Sequence, residues 1–96
     1  MIFVVLSPTG PYFRSASEPI TLLANYDAAR SWPGGTGAFK LGINYTPCFK
    51  PQMEAAQKGY HQILWVLGEE RQITEVGQMN FFIVVKREDG GMYIFS

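Results

Sequence analysis

Short apolar runs, broken by glycine, proline and charged residues, constrain the fold of this 96-residue chain more than any other feature. Runs such as 1–6 and 81–85 have the length of a strand, whereas a membrane-spanning helix needs roughly 20 apolar residues. We therefore expect no membrane partner. Hydrophobic residues make up 47% of the chain, which is enough for a modest core and is not the composition of a disordered segment.

Charge and cysteine content argue against further classes of partner and site. Eight basic and eight acidic side chains leave a formal net charge of zero, so we expect no nucleic-acid partner. The single cysteine, Cys48, cannot form an internal disulfide, and the single histidine, His61, leaves too few ligands for a structural zinc. We expect Cys48 to be a buried, inert thiol near the start of a helix and His61 to be structural or at the surface.

The hydrophobic pattern predicts an α/β (α+β) fold with one main helix near 47–58. Apolar residues recur there at every third or fourth position, Pro47 and Pro51 suit a first helical turn, and Gly59 suits a left-handed cap. Runs rich in β-branched residues predict the strands, at 1–6, 20–24, 62–67, 73–76, 80–86 and 92–95. We expect the first strand to be buried on both faces and the last two to form a hairpin through 88–91.

Lys40 follows a loop, residues 31–37, that contains three glycines and a proline. The loop does not fit a nucleotide phosphate loop, because Phe39 and Leu41 occupy the positions of the required glycine and hydroxyl. These apolar neighbours make Lys40 a candidate for a partly desolvated amine, and desolvation favours the neutral, nucleophilic form that a Schiff-base lysine needs. Most lysines are exposed, so the local sequence alone leaves a solvent-exposed Lys40 open.

Two segments carry a family resemblance: residues 33–45, Pro-Gly-Gly-Thr-Gly-Ala-Phe-Lys-Leu-Gly-Ile-Asn-Tyr, and residues 73–80, Ile-Thr-Glu-Val-Gly-Gln-Met-Asn. They resemble the branched-chain amino acid aminotransferases, which are fold-type IV pyridoxal-phosphate enzymes, and the likeness extends to 7–13, 64–68 and 88–90. The resemblance implies that 1–96 is a single partial domain. It would comprise the linker region and the first part of the larger, cofactor-binding C-terminal domain, with a mixed sheet.

The same resemblance implies roles for five residues. Lys40 would form the Schiff base with pyridoxal 5'-phosphate and then move the proton between substrate and cofactor. Glu75 would hold the pyridine nitrogen protonated, and Tyr45 would meet the ring oxygen of the cofactor. Tyr12 would line the pocket for the substrate side chain, and Gln78 stands where the family usually has a threonine that receives the substrate carboxylate.

The resemblance also bears on three further positions. Asn44 is expected to order the loop beside Tyr45, and Gln62 matches a glutamine near the active site. Ile43 stands where the family usually has glycine, a change that would narrow the pocket or shift the loop.

The activity implied is transfer of an amino group from leucine, isoleucine or valine to 2-oxoglutarate, by a homodimer in the cytoplasm or the mitochondria. One alternative is an inactive truncated fragment or pseudo-enzyme, because the family's arginine and backbone groups for the cofactor phosphate lie outside these 96 residues. The other is a fold-type IV enzyme with a different substrate, such as a D-amino acid aminotransferase or an aminodeoxychorismate lyase. A partial sheet also predicts open edges and an uncovered apolar face, which favour aggregation or dimerisation.

Overall fold

The computed structural model describes residues 1–11, 18–77 and 79–96. Two helices are present, α1 (Gly42–Tyr45) and α2 (Phe49–Gln57), joined by a 3-10 turn at Thr46–Cys48. The described strands are β1 (Leu22–Asn25), β2 (Gln62–Leu67), β3 (Gln72–Val76), β4 (Ile83–Lys86) and β5 (Met92–Phe95). The predicted α/β class with one main helix is confirmed, and no helix in the described ranges has the length and apolar character to cross a membrane.

The strands form a three-stranded and a two-stranded sheet. In the first, β2 pairs in parallel with β1 and antiparallel with β3, in the order β1-β2-β3, so the predicted mixed sheet is confirmed. The second is the predicted hairpin of β4 and β5. Because parallel strands need a long crossover, residues 26–61 return the chain from β1 to β2 and carry both helices.

The helical segment begins at Gly42, ahead of the predicted start near 47. Pro47 does not interrupt it, because Pro47 falls in the first turn of the 3-10 segment, where a missing amide donor is tolerated. At the other end, Gly59 has φ +86°. The N–H of Gly59 donates to the carbonyl of Ala56, and that of Tyr60 to the carbonyl of Ala55, both at 3.0 Å. This pair of bonds is a Schellman motif, so the predicted glycine cap is confirmed.

A small core lies between the crossover and β2. Its buried members are Cys48, Ala55, Ile63 and Trp65, with Leu23 and Ala28 packed against them. This core holds the 3-10 turn, through Cys48, and α2, through Ala55, against the central strand β2.

The expected buried strand at 1–6 is wrong. These residues have no regular structure, and their side chains are exposed. An apolar strand needs neighbours to pair with its backbone and cover its faces, and none of the five strands of the described ranges pairs with it. Apolar sequence alone predicted the burial, but burial requires a partner.

Apolar side chains also remain uncovered on α2 and on the hairpin. Phe49 and Met53 on α2 are 56% and 64% exposed, and Ile94 on β5 is 69% exposed. The helical spacing of apolar residues was predicted correctly. The side of α2 that is buried, however, carries Ala55 and not Phe49 or Met53. The uncovered apolar surface that was expected of a partial sheet is therefore present.

Candidate functional site

One cleft, with a volume of about 710 Å³, brings together three of the residues predicted to hold a cofactor. Lys40, Tyr45 and Glu75 line it, from the loop before α1, the end of α1 and strand β3. The β3–β4 connection and the end of β5 complete the lining. The volume is within the range of small-molecule sites.

Asn44 holds the loop that leads to Lys40. Its side chain is buried, and its Nδ2 donates to the carbonyl oxygens of Thr36, at 2.8 Å, and Phe39, at 2.6 Å. Its Oδ1 accepts a bond of 2.7 Å from the Thr36 hydroxyl. One amide therefore fixes the loop backbone up to the residue before Lys40, as the sequence analysis predicted.

The loop is folded so closely that Gly37 cannot be replaced without moving it. A Cβ atom at this position would overlap the side chain of Ser31. Glycine is thus required here by close approach. A larger residue would displace the backbone that carries Lys40.

The structure does not bury Lys40. Its side chain is exposed, and the apolar neighbours Phe39 and Leu41 are 63% and 43% exposed. The expectation that the Lys40 amine is desolvated is therefore wrong. The core residues lie on the 3-10 turn, α2 and β2 with Leu23 and Ala28 packed against them, so no core side chain among the described residues covers the loop at 39–41.

Tyr45 is half-buried at the end of α1, and its ring stacks with Arg30. The guanidinium carbon of Arg30 lies 5.2 Å from the ring centroid, and Arg30 is 8% exposed. Arg30 also lines the cleft. Sequence reasoning missed Arg30, because it occupies an irregular segment and becomes part of the site only through the packing of the crossover.

A β-bulge sets the position of Glu75 on β3. Glu75 pairs with Trp65 and Ile73 pairs with Val66, so Thr74 is the extra residue between them. The Thr74 hydroxyl donates to the carbonyl of Trp65 at 3.3 Å. Thr74 and Glu75, although adjacent, both line the cleft, since a bulge redirects side chains at this point in a strand.

The Glu75 carboxylate accepts a hydrogen bond of 3.2 Å from the backbone N–H of Val76. This local bond restrains the half-buried carboxylate within the cleft wall. Glu75 therefore has one orientation fixed by its own strand.

Burial and two charged residues of the site affect the pKa of the Cys48 thiol. Burial raises the pKa of the Cys48 thiol above its ordinary value of 9.0, with Arg30 lowering it and Glu75 raising it further. The thiol donates to the carbonyl of Asn44 at 3.3 Å. The predicted buried thiol is confirmed, and it lies within electrostatic range of both charged residues.

His61 lies outside the cleft lining and links β1 to β2. Its Nδ1 accepts a bond of 3.1 Å from the backbone N–H of Thr21, and its carbonyl accepts one of 3.0 Å from Gln52. The predicted structural role is confirmed.

Gln62 does not line the cleft, but it packs against Gly77, which does line the cleft. A side chain at 77 would overlap the Gln62 amide. Gln62 therefore supports the cleft wall from behind. The two predicted substrate residues, Tyr12 and Gln78, lie outside the described residues.

No protein-family model matches the chain, but many curated proteins do, among them the following three. The mitochondrial branched-chain-amino-acid aminotransferase of Schizosaccharomyces pombe is 51% identical over 96 residues, which is 100% of this chain and 22% of that protein. The mitochondrial enzyme of Saccharomyces cerevisiae is 50% identical over 84 residues, or 88% of this chain and 21% of that protein. The cytosolic enzyme of Rattus norvegicus is 50% identical over 91 residues, which is 94% of this chain and 22% of that protein. The chain thus spans about a fifth of the length of these relatives.

Proposed function

Because its whole length is similar to one segment of the branched-chain-amino-acid aminotransferases, we propose that this chain supplies the lysine-bearing wall of a branched-chain transaminase site. The reaction is transfer of an amino group from leucine, isoleucine or valine to 2-oxoglutarate. The observation that carries the proposal is the single cleft lined by Lys40, Tyr45 and Glu75.

The residues of this cleft fit the ring of pyridoxal 5'-phosphate. When bound, that cofactor supplies an aldehyde and an electron-withdrawing ring that stabilises negative charge at the substrate α-carbon. An amine suits the aldehyde, a phenol suits the ring oxygen and a carboxylate suits a protonated ring nitrogen, and the cleft offers one of each. Its volume of about 710 Å³ also exceeds what a compact cofactor ring needs.

Lys40 acts as the attachment point and as the acid–base group. Its amine would hold the cofactor through the aldehyde, and when free its Nζ would accept the proton of the substrate α-carbon and donate it again. Both tasks require a fixed backbone and a mobile side chain. Asn44 fixes the backbone before Lys40, whereas the Lys40 side chain is exposed.

Glu75 and Tyr45 orient the ring. The Glu75 carboxylate, restrained by the N–H of Val76, would keep a proton at the ring nitrogen. The Tyr45 hydroxyl would donate to the ring oxygen. Both residues lie on regular elements of the fold, β3 and α1, so these two elements would hold the ring.

Tyr12 and Gln78 are proposed to act on the substrate side. An aromatic ring at Tyr12 suits an aliphatic side chain, and the Gln78 amide can donate to the substrate carboxylate. We further propose that the working form is a homodimer, since the cleft and the apolar surfaces around it are partly open in one copy.

The test is chemical labelling of the purified chain. The chain is mixed with pyridoxal 5'-phosphate, the visible absorption band is recorded, the mixture is reduced with borohydride, and the adduct is located by peptide mass spectrometry. We expect a stoichiometric adduct at Lys40 that is lost in Lys40→Ala and kept in Lys50→Ala, since the Lys50 side chain is 87% exposed on α2, away from the cleft lining. Equal labelling of Lys40, Lys50, Lys58 and Lys86 would contradict the proposal and favour an inactive fragment.

Turnover is tested separately, with leucine and 2-oxoglutarate as substrates and glutamate as the measured product. We expect formation of glutamate to be abolished in Lys40→Ala. Replacement of leucine by a D-amino acid should give no product, and activity with D-amino acids alone would instead indicate a different fold-type IV enzyme.

A further inference from the structure

Arginine stacks on tyrosine at three places in the described residues. The distances from guanidinium carbon to ring centroid are 5.2 Å for Arg30 over Tyr45, 5.5 Å for Arg71 over Tyr26 and 4.9 Å for Arg87 over Tyr93. Arg71 and Arg87 are exposed, whereas Arg30 is 8% exposed. The stack that contains Tyr45 is therefore the buried one.

Burial changes what such a stack contributes. Removing a guanidinium from water costs free energy unless other groups compensate. A stack with an aromatic face gains strength when the cation is desolvated, and the planar guanidinium is better suited to it than an ammonium. The buried position of Arg30 thus makes its contact with the Tyr45 ring stronger than the exposed contacts of Arg71 and Arg87.

Arg30 also lines two cavities. One is the main cleft, and the other is a second cavity of about 220 Å³ whose lining includes Asn44, Cys48 and Trp65. The guanidinium of Arg30 lies over the Tyr45 ring, and Tyr45 lines the main cleft.

We propose that Arg30 is the positioning residue for Tyr45: its stacked guanidinium fixes the phenol ring on the cleft wall, so that the hydroxyl is held ready for the cofactor. This inference rests on the proposed function, because it assigns to Arg30 an effect that acts through the Tyr45 hydroxyl. Arg30 itself needs no contact with the cofactor.

A double-mutant cycle tests the proposal. Pyridoxal 5'-phosphate is titrated into wild type, Arg30→Gln, Tyr45→Phe and the double variant, and loading at Lys40 is measured after borohydride reduction. We expect each single variant to need about tenfold more cofactor for half loading. The double variant should resemble Tyr45→Phe, because without the hydroxyl there is nothing left for Arg30 to position.

Arg71→Gln is the matched control. It removes an arginine–tyrosine stack of similar length, 5.5 Å, that does not line the cleft. Loading should stay within about twofold of wild type, as expected for an exposed residue away from the site. Circular dichroism of every variant checks folding, and if Arg30→Gln does not fold, the cycle is repeated with Arg30→Lys, which keeps the charge and loses the planar stack.

The outcomes separate the inference from the function on which it rests. Loading of Arg30→Gln at the wild-type level, or additive effects in the double variant, would overturn the role of Arg30 while wild-type loading at Lys40 upholds the proposed function. Absence of loading at Lys40 in wild type would overturn the proposed function and the inference with it.

Discussion

Among single residues, Asn44 has the largest influence on the candidate site although it does not line the main cleft. Its buried amide makes three hydrogen bonds to the loop before Lys40, two as donor and one as acceptor. These bonds take the place of a sheet or a helix in a segment that has neither. The position of the candidate lysine therefore depends on one side chain.

Asn44→Ala should lower the free energy of unfolding by about 2 kcal/mol, because it leaves loop carbonyls without their donors. Urea denaturation measures this change. Gln57→Ala, which removes an exposed amide on α2, is the control and should change stability by less than about 0.5 kcal/mol. A loss as small in Asn44→Ala as in the control would show that the loop is not held by this residue.

Cys48 gives the chain a predictable pH dependence. Burial raises the pKa of its thiol above 9.0 in the folded state, so folding favours the protonated form. The corresponding stability is complete below the unfolded pKa and is lost as the pH rises through the folded one. Between about pH 8 and about pH 10, wild type should lose more stability than Cys48→Ala, as measured by urea denaturation across that range. Parallel curves for the two proteins would contradict this.

Charge variants should move the thiol pKa in opposite directions. Arg30 lowers the pKa of Cys48 and Glu75 raises it, so Arg30→Gln should raise that pKa and Glu75→Gln should lower it. Ultraviolet absorbance of the thiolate follows the titration. Lys50→Gln, on the exposed face of α2, is the control that should leave the thiol pKa in place.

At the scale of elements, strands that pair within the chain were predicted best. The bounds of β2 and β5 match the sequence analysis, because each pairs with a neighbour close in sequence. Strand β4 begins at Ile83 rather than 80, and 1–6 forms no strand. Residues 1–6 are as apolar as strand β5, which is paired, so apolar composition cannot by itself show which segment has a partner.

The Schellman motif that ends α2 makes a prediction for Gly59. Because Gly59 has φ +86°, Gly59→Ala forces a side chain into the left-handed region and should destabilise the fold by about 1 kcal/mol. Gly42→Ala is the matched control, since a Cβ there meets nothing within 4 Å and its φ is not positive. Thermal unfolding should show a lower midpoint for Gly59→Ala alone, and equal midpoints would refute the role of the cap.

For the candidate site, the sequence predicted which residues gather but not the arrangement that gathers them. Lys40, Tyr45 and Glu75 were identified from the family resemblance, and they line one cleft. The exposure of Lys40 and the stack of Arg30 on Tyr45 were not predicted. Both depend on how the crossover packs on β2, which is a contact between segments distant in the chain.

At the scale of the whole molecule, uncovered apolar surface dominates behaviour in solution. Phe49 and Met53 on α2, and Ile94 on the hairpin, are all more than half exposed. Surfaces of this kind associate or aggregate unless another surface covers them. The mean size of the particles that the chain forms in solution should therefore increase with protein concentration.

Analytical ultracentrifugation should show self-association of wild type at micromolar concentration. The pair Phe49→Lys and Met53→Glu should reduce it by about tenfold, because charges on the α2 face oppose burial. Gln57→Glu, an added charge at a position that is already polar, is the control and should leave association unchanged. A wild-type chain that stays monomeric throughout would contradict the expectation.

The order of the elements along the chain also determines the order in which the site can form during protein synthesis. Lys40 and Tyr45 lie within the crossover, whereas Glu75 lies on β3, which pairs with the far side of β2. As the chain leaves the ribosome at about 5–20 residues per second, the lysine emerges first and its partners on the sheet seconds later. Throughout that interval the nascent chain carries Lys40 without β3, which supplies one wall of the cleft.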